Sequence, residues 1–119
     1  MNVQQENGTC VFCAIQRGDV SSDTVYESKD VVAFRDVNAQ APVHVLVVPR
    51  KHIVSVASMS GAPAMLGRLL DVCVHVAKEE GLAHTGYRIV ANHGRDGAQS
   101  VQHVHFHVLG GRGLDGKLG

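Results

Sequence analysis

The pattern of apolar and polar positions along the chain predicts two helices and five strands. Short runs rich in β-branched and aromatic residues are typical of strands, and polar, turn-like segments separate them here. The predicted strands cover residues 24–27, 31–36, 44–49, 87–92 and 103–109. The run at 44–49 is almost continuously apolar, which indicates a central strand buried on both faces.

Apolar residues at spacings of three and four predict a long amphipathic helix over residues 62–81. Ser58 or Ser60 could cap its start, and Pro63 suits its first turn. Gly81 suits its C-terminal end, because glycine accepts the backbone conformation that stops a helix.

Near the N-terminus, residues 11–17 can form a short helix that Gly18 ends. The polar residues 1–9 are predicted to be disordered, and residues 110–119 are predicted to form an irregular tail. No internal repeat, low-complexity tract or long linker divides the sequence. We therefore interpret residues 1–119 as a single α+β domain with a mainly antiparallel sheet.

The composition of the chain indicates which classes of binding partner to exclude and in which cellular compartment to expect the protein. The 119 residues suffice to bury a core without disulfides, and 45% hydrophobic with 18% charged residues is typical of a folded domain. Eleven basic residues balance eleven acidic ones, which removes the usual electrostatic basis for binding a nucleic-acid polymer or an anionic membrane. Because neither a membrane-spanning run nor a signal-peptide pattern is evident, we expect a cytoplasmic protein.

Candidate chemistry is concentrated in three alternating histidines, His103, His105 and His107. Side chains of a strand alternate between its two faces, so the three imidazoles are predicted to share one face. One imidazole could then act as a nucleophile while its neighbours orient it or bind metal. The alternative to this catalytic interpretation is that the three histidines form a histidine-rich surface strand or an adventitious metal chelate.

The loop before these histidines contains Asn92, Gly94, Gly97, Gln99 and Ser100. Glycine allows close approach of the backbone, and main-chain N–H groups and side-chain donors can hold a phosphate. Most glycine-rich loops are ordinary turns, so the position of this loop beside the histidines is what favours phosphate binding.

Cys10 and Cys13 form a C-x-x-C pair, which in a reducing compartment suggests metal binding or redox chemistry. No strand is predicted before the pair, as a thioredoxin-like arrangement would require. The third cysteine, Cys73, lies in the apolar pattern of the long helix and is interpreted as a core residue.

Several motifs together resemble the histidine triad (HIT) superfamily. They are Ala41-Pro42-Val43-His44, Val48-Pro49-Arg50-Lys51-His52-Ile53, Asn92-His93-Gly94, Ala98-Gln99-Ser100-Val101 and His103-Val-His-Phe-His-Val-Leu-Gly-Gly-Arg112. The Gly-Gly-Arg after the histidines is similar to the Hint branch, the histidine triad nucleotide-binding proteins. The match is collinear from Cys10 to Arg112, nearly the whole chain.

The resemblance implies a HIT-like fold whose sheet extends across a symmetric homodimer. It also implies a purine nucleoside phosphoramidase that forms a covalent nucleotidyl-histidine intermediate and needs no Mg²⁺. His105 would be the nucleophile, His107 would face the phosphate oxygens, and His44 would orient His105.

The implied substrate-binding residues come from the loop and from two apolar elements. Ser100 and Asn92 would hold the phosphoryl group and the leaving amine, with Gln99 beside them. Asp36 would accept hydrogen bonds from the ribose hydroxyls. The base would occupy an apolar slot lined by Val11, Phe12, Ile15, Phe34 and Val37.

The resemblance further implies a structural Zn²⁺ held by Cys10, Cys13, His52 and His103, since zinc-bearing relatives use corresponding positions. Four thiolate and imidazole ligands are the usual set for such an ion. His103 would then fix the strand that carries His105. Without zinc, His103 would have a hydrogen-bonding role.

Some features depart from the family pattern. His93 stands where relatives often carry an acidic residue, and the tail lacks the Trp-Pro-Pro ending of many Hint proteins. His75, His84 and His93 have no assigned partner and are predicted to be surface residues. Two alternative functions remain: a dinucleoside polyphosphate hydrolase of another HIT branch, and a zinc-stabilised nucleotide-binding or interaction module.

Overall fold

The computed structural model of the protein describes residues 9–119. The elements are α1 (Val11–Arg17), β1 (Thr24–Glu27), β2 (Val31–Arg35), β3 (Val43–Pro49), α2 (Pro63–Glu79), β4 (Tyr87–Ala91) and β5 (Phe106–Gly110). A single 3-10 turn, Val56–Met59, precedes α2. The strands form one antiparallel sheet in the order β1-β2-β3-β5-β4, which confirms the predicted α+β fold with five strands.

One face of the sheet is covered by α2. Alternate residues of β2, β3 and β5 point toward this helix and pack against its apolar stripe in a continuous core. Its main members are Val31, Ala33, Val45, Val47, Leu69, Val72, Cys73, Val76, Phe106 and Val108. Cys73 is fully buried here, as predicted.

The opposite face is only half covered. The short helix α1 packs on β2 and β3, where Phe12 and Cys13 meet Phe34 and Leu46 in a second core. Residues 45–48 of β3 are therefore buried from both sides, as their apolar run predicts. Because α1 has only seven residues, it covers only the β2 and β3 half of this face.

The β5 and β4 half of the same face carries partly buried side chains. Residues paired across strands point to the same side of a sheet. His107 pairs with Leu46 on one side and Val90 on the other, while Leu109 pairs with Arg88. The half of the face that α1 leaves uncovered thus begins at His107, next to the residues of β3 that α1 covers.

The ends of the helices match the predictions except at the start of α2. Gly18 ends α1 with φ 82°, and Gly81, just beyond α2, has φ 79°. Pro63 occupies the first position of α2, as predicted. The predicted cap by Ser58 or Ser60 is wrong, because α2 starts after Ala62 without a side-chain cap.

The predicted strand at 103–109 begins three residues later in the structure, at Phe106. The backbone N–H of Val104 donates to the carbonyl of Ile53 at 2.6 Å, so the chain leaves the sheet there. The three imidazoles nevertheless lie on the α1 side: Phe12 contacts the rings of His103 and His105, and His105 contacts His107.

The termini complete the description of the chain. The predicted disorder of residues 1–9 lies outside the described residues, apart from Thr9, which is in a turn. Gly110 still belongs to β5, and residues 111–119 form neither helix nor strand. Among residues 9–119, no helix is both long enough and apolar enough to span a membrane.

Candidate functional site

A cavity of about 450 Å³ lies where the cover of α1 ends. Its apolar wall comes from α1 and β2, and its polar wall comes from the histidines and the loop before β5. The predicted residues that line it are Val11, Phe12, Ile15, Phe34, Asp36, Val37, His44, Ser100, His105 and His107. Val37 lies at the rim, with 91% of its surface exposed. The cavity therefore brings most of the predicted site residues together.

His105 presents an unprotonated nitrogen. Its Nδ1 lies 2.8 Å from the main-chain carbonyl oxygen of His103, which can only accept, so Nδ1 carries the proton. The proton-free Nε2 is the nitrogen that remains for chemistry. Burial lowers the pKa of His105, although the His103 carbonyl and Asp36 oppose this effect. A neutral imidazole with a free lone pair on the cavity wall is a competent nucleophile.

A hydrogen-bonded chain fixes the protonation of the other two histidines. The backbone N–H of Gln40 donates to His44 Nδ1 at 3.0 Å, so the His44 proton resides on Nε2. His44 Nε2 then donates to His107 Nδ1 at 2.9 Å, which leaves the proton of His107 on its Nε2. His107 is thus a hydrogen-bond donor, whereas His105 offers a lone pair.

Burial keeps this chain uncharged. It lowers the pKa of His44, against the opposing effect of the Asp36 carboxylate, whose Oδ2 lies 3.4 Å from His44 Nε2. The pKa of His107 falls to about 4 through burial and the neighbouring imidazoles of His105 and His44. All three imidazoles are therefore neutral near pH 7.

The loop between β4 and β5 is held by its own side chains. Asn92 Nδ2 donates to the carbonyl of Gly97 at 2.6 Å. Gln99 Oε1 accepts from the backbone N–H of Gly94 at 3.1 Å, and its Nε2 donates to the carbonyls of Val54 and Val101.

Gln99 therefore braces the loop with its whole amide and lines neither cavity of the site. Its predicted role in substrate binding stays a prediction. The prediction could not foresee that backbone groups of the loop and of residue 54 would occupy the amide.

A second cavity of about 370 Å³ lies over the uncovered half of the sheet. It shares His44, His107 and Gln40 with the first cavity but does not reach His105. Asn92 lines this second cavity. The two cavities therefore meet at the His44–His107 pair.

Next to the first cavity, Cys10, Cys13, His52 and His103 form a possible metal-binding cluster. Their ligand atoms all lie within 4.8 Å of one another. His103 Nε2 lies 2.9 Å from the carbonyl oxygen of Pro49, so its proton resides there and the lone pair of Nδ1 faces the sulfur atoms. Burial raises the pKa of Cys13 to about 11, assisted by Cys10, and lowers that of His103 to about 4.

Asp36, His44 and His107 also offer ligand atoms at short distances. Their hydrogen bonds oppose metal binding, because the Gln40 N–H occupies His44 Nδ1 and thereby keeps a proton on Nε2. The cysteine cluster has a free nitrogen lone pair on His103 and two thiols, which makes it the better metal-binding candidate.

Sequence reasoning missed several contacts. Gln40 acts through its backbone N–H, which no side-chain pattern reveals. His93, to which the sequence assigned no partner, is hydrogen bonded through Nδ1 to the buried Ser55 hydroxyl at 2.9 Å. His75 likewise contacts the ring of Tyr26. His75, His84 and His93 are all exposed, which confirms their predicted position at the surface.

Comparison with known proteins agrees with the family resemblance of the sequence motifs. Residues 17–114 match the family model of the HIT domain. The chain is 43% identical over 105 residues to the purine nucleoside phosphoramidase of Escherichia coli (strain K12), covering 87% of this chain and 88% of the relative. That relative agrees with the predicted likeness to the Hint branch.

Solved structures agree with the fold. A histidine triad protein from Clostridium difficile superposes with a TM-score of 0.90 at 39% identity, covering 96% of this chain and 100% of that one. A HIT family hydrolase from Legionella pneumophila Philadelphia 1 gives a TM-score of 0.86 at 39% identity, covering 90% and 96%. The predicted family is therefore confirmed, and the chain belongs to the HIT domain family.

Proposed function

We propose that the protein hydrolyses purine nucleoside 5′-phosphoramidates to a nucleoside monophosphate and an amine. The observation that carries this proposal is the neutral His105, whose proton-free Nε2 stands on the wall of a cavity large enough for a nucleotide. The similarity to a purine nucleoside phosphoramidase supports both the bond cleaved and the purine.

In the first step, the lone pair of His105 Nε2 attacks the phosphorus atom and the phosphorus–nitrogen bond to the amine breaks. The amine leaves with a proton taken from solvent. The imidazole ring acquires positive charge, which the His103 carbonyl stabilises through its hydrogen bond with Nδ1–H. In the second step, water attacks the same phosphorus, releasing the monophosphate and restoring neutral His105.

His107 and the loop would hold the phosphoryl group. The Nε2–H of His107 can donate to a phosphoryl oxygen, and Ser100 and Asn92 supply further donors from the two cavities. The chain through His44 ends at the main-chain N–H of Gln40, which does not release a proton. His44 and His107 therefore orient and donate hydrogen bonds but relay no proton. None of these steps requires Mg²⁺.

The first cavity would hold the nucleoside. Phe12, Ile15 and Phe34 offer apolar surface to a base, with Val11 and the exposed Val37 at the edges. Asp36 lines the same cavity with its carboxylate 3.4 Å from His44 Nε2, and this carboxylate can accept hydrogen bonds from ribose hydroxyls. The cavity thus offers apolar surface for the base, a carboxylate for the ribose and imidazoles for the phosphate.

We also propose that the cluster of Cys10, Cys13, His52 and His103 holds a structural Zn²⁺. Around a tetrahedral zinc ion, sulfur and nitrogen ligands stand about 3.5 Å apart. The cluster has Sγ–Nδ1 distances of 3.3 Å (Cys10–His103), 3.4 Å (Cys13–His52) and 3.6 Å (Cys13–His103), so the residues fit the ion. When bound, zinc would hold α1 and the segment before β5 together as a cross-link.

A homodimer with a continuous sheet is proposed on two features. Strand β4 is an outer strand with one unpaired edge in the described sheet. On α2, Leu70 and Val74 expose 42% and 51% of their surfaces, which is apolar area for a partner to cover. The free thiols and balanced charge support a cytoplasmic protein without a nucleic-acid or membrane partner.

The test is to incubate the protein with an adenosine 5′-phosphoramidate and search by mass spectrometry for an AMP adduct on His105. We expect release of AMP and an adduct on that residue, and His105→Asn should abolish both while the protein stays folded and keeps its nucleotide affinity. A folded wild-type protein with neither turnover nor adduct would instead favour a nucleotide-binding module.

A further inference from the structure

The exposed imidazole of His93 is hydrogen bonded to a hydroxyl in the interior. His93 follows β4 by two residues, at the start of the loop that leads to β5. Its Nδ1 lies 2.9 Å from Oγ of Ser55, and Ser55 is only 2% exposed. The ring lines neither of the two cavities described above, so it would act on a substrate held there only through its neighbours.

Ser55 belongs to a segment that the main core holds in place. It starts the 3-10 turn Val56–Met59, and its carbonyl accepts from the N–H of Ser58 at 3.0 Å. Met59 is a buried member of the core beneath α2, and Val56 packs against that core. The side chain of Ser55 makes no hydrogen bond within residues 56–59, so its hydroxyl is offered to His93 from a fixed position.

The segment at residues 53–55 holds the loop between β4 and β5 at both of its ends. The carbonyl of Val54 accepts from Gln99 Nε2 at 2.7 Å, near the end of the loop. The Ser55 hydroxyl holds His93 at the start of the loop. Two separate side-chain contacts, from neighbouring residues of one fixed segment, therefore determine where the loop lies.

The backbone of His93 supports the part of the loop that lines the site. A Cβ atom on Gly97 would lie 2.3 Å from the His93 oxygen, so the two backbones are in direct contact. Asn92, next to His93, donates to the Gly97 carbonyl at 2.6 Å and lines the second cavity. Ser100, three residues after Gly97, lines the first cavity. A shift of His93 would therefore move both of these polar side chains.

We propose that His93 is a positioning residue of the reaction, which together with Ser55 holds Asn92 and Ser100 where they can bind the phosphoryl group. This inference rests on the proposed function and adds a residue outside the cavities to it. The apolar wall of the first cavity comes from other elements, α1 and β2. His93 should therefore affect the rate of phosphoryl transfer and not the affinity for the nucleotide.

The test is a double-mutant cycle on the full-length protein, with adenosine 5′-phosphoramidate as the substrate. His93→Ala and Ser55→Ala each remove the same hydrogen bond, so each should lower kcat by about tenfold. The variant with both changes should also lose about tenfold, and not about 100-fold, because the two residues act through one contact. The affinity for AMP, measured by titration calorimetry, should be unchanged in all three variants.

Two further variants identify the contact. In His93→Asn the side-chain amide can take the place of Nδ1 beside the Ser55 hydroxyl, so this variant should retain most of the wild-type kcat. His84→Ala is the matched control, because His84 is another exposed histidine and lines neither cavity. The control should leave kcat unchanged.

Hydrogen exchange supplies a measurement that does not depend on turnover. The N–H groups of Ala98 and Gln99 donate to the carbonyls of Arg95 and Gly94 within the loop. Loss of the His93 contact should speed exchange of these two amides by about tenfold, while the amides of β3 stay as slow as in the wild type.

The outcomes separate this inference from the proposed function. Wild-type kcat and wild-type exchange in His93→Ala would overturn the inference and leave the function standing. Losses that multiply in the double variant, no recovery in His93→Asn, or AMP binding weakened along with kcat would overturn it too. If Ser55→Ala does not fold, the comparison of His93→Ala with His93→Asn decides. Absence of all hydrolysis by folded wild-type protein would overturn both.

Discussion

Gly97 offers a direct test of how closely the loop before β5 must fit. A Cβ atom at this position would lie 2.3 Å from the main-chain oxygen of His93 and 2.9 Å from its nitrogen. Contacts under 3.0 Å are essentially never seen for real Cβ atoms, and these neighbours are backbone. Gly97→Ala must therefore displace the loop by at least 3.0 − 2.3 = 0.7 Å.

The displacement would reach the site through two short paths. The Gly97 carbonyl accepts the hydrogen bond from Asn92, and Ser100 follows three residues later on the cavity wall. Misplacing catalytic groups by about 1 Å can lower a rate about 100-fold. Overpacking of this kind costs about 1–3 kcal/mol of stability. We therefore expect Gly97→Ala to fold but to lose about 100-fold in kcat/KM.

The assay is steady-state hydrolysis of adenosine phosphoramidate together with thermal unfolding of both proteins. Gly116→Ala is the control, because a Cβ there meets no atom within 4 Å and its φ is not positive. This variant should match the wild type in activity and melting temperature. Full activity of Gly97→Ala would refute the expectation that a clash with the His93 backbone displaces the loop and the site residues on it.

Three further predictions concern metal, pH and assembly. Elemental analysis should find zinc in the wild type and none in Cys13→Ser, and this variant should also lose about 4 kcal/mol of stability. Because the pKa of His107 is lowered from 6.5 to about 4, folding excludes a proton that the unfolded chain binds. Protonation of His107 alone should lower the free energy of unfolding by about 3 kcal/mol between pH 6.5 and 4. The total fall over this pH range should therefore be smaller in His107→Asn than in the wild type. Leu70→Glu should convert a dimer to a monomer in light scattering.

Each of these has a clear contrary result. A wild-type protein without stoichiometric zinc would refute the metal proposal. An identical pH dependence of stability in the wild type and His107→Asn would show that His107 is not kept neutral by folding. A wild-type protein that is monomeric at micromolar concentration would contradict the dimer.

The sequence predicted the elements best where the periodicity was strong. The apolar run of β3 and the stripe of α2 depend on burial, which the residue types report directly. Bounds were less accurate where a contact distant in sequence decides them. Val104 bonds to Ile53 instead of to a neighbouring strand, so β5 begins only at Phe106, and no local pattern in residues 103–109 encodes this contact.

For the site, the sequence likewise predicted the main residues but not the contacts that determine their chemistry. Histidine spacing and the family motifs identified His44, His105 and His107, and the structure places all three around one cavity. The protonation of each ring could not be predicted, because backbone partners at Gln40 and His103 determine it. Side-chain identity alone likewise could not distinguish Gln99 as a brace from Gln99 as a ligand contact.

His103 connects two parts of the molecule through three contacts. Its ring is bonded to the end of β3 at Pro49, its other nitrogen faces the cysteines, and its own carbonyl holds His105. Occupancy of the cysteine cluster and occupancy of the nucleotide cavity therefore act on one and the same peptide unit. Linkage makes any such coupling reciprocal, so tighter metal retention with nucleotide bound requires tighter nucleotide binding with metal present. The affinity of this protein for its substrate would then vary with the metal supply of the cell.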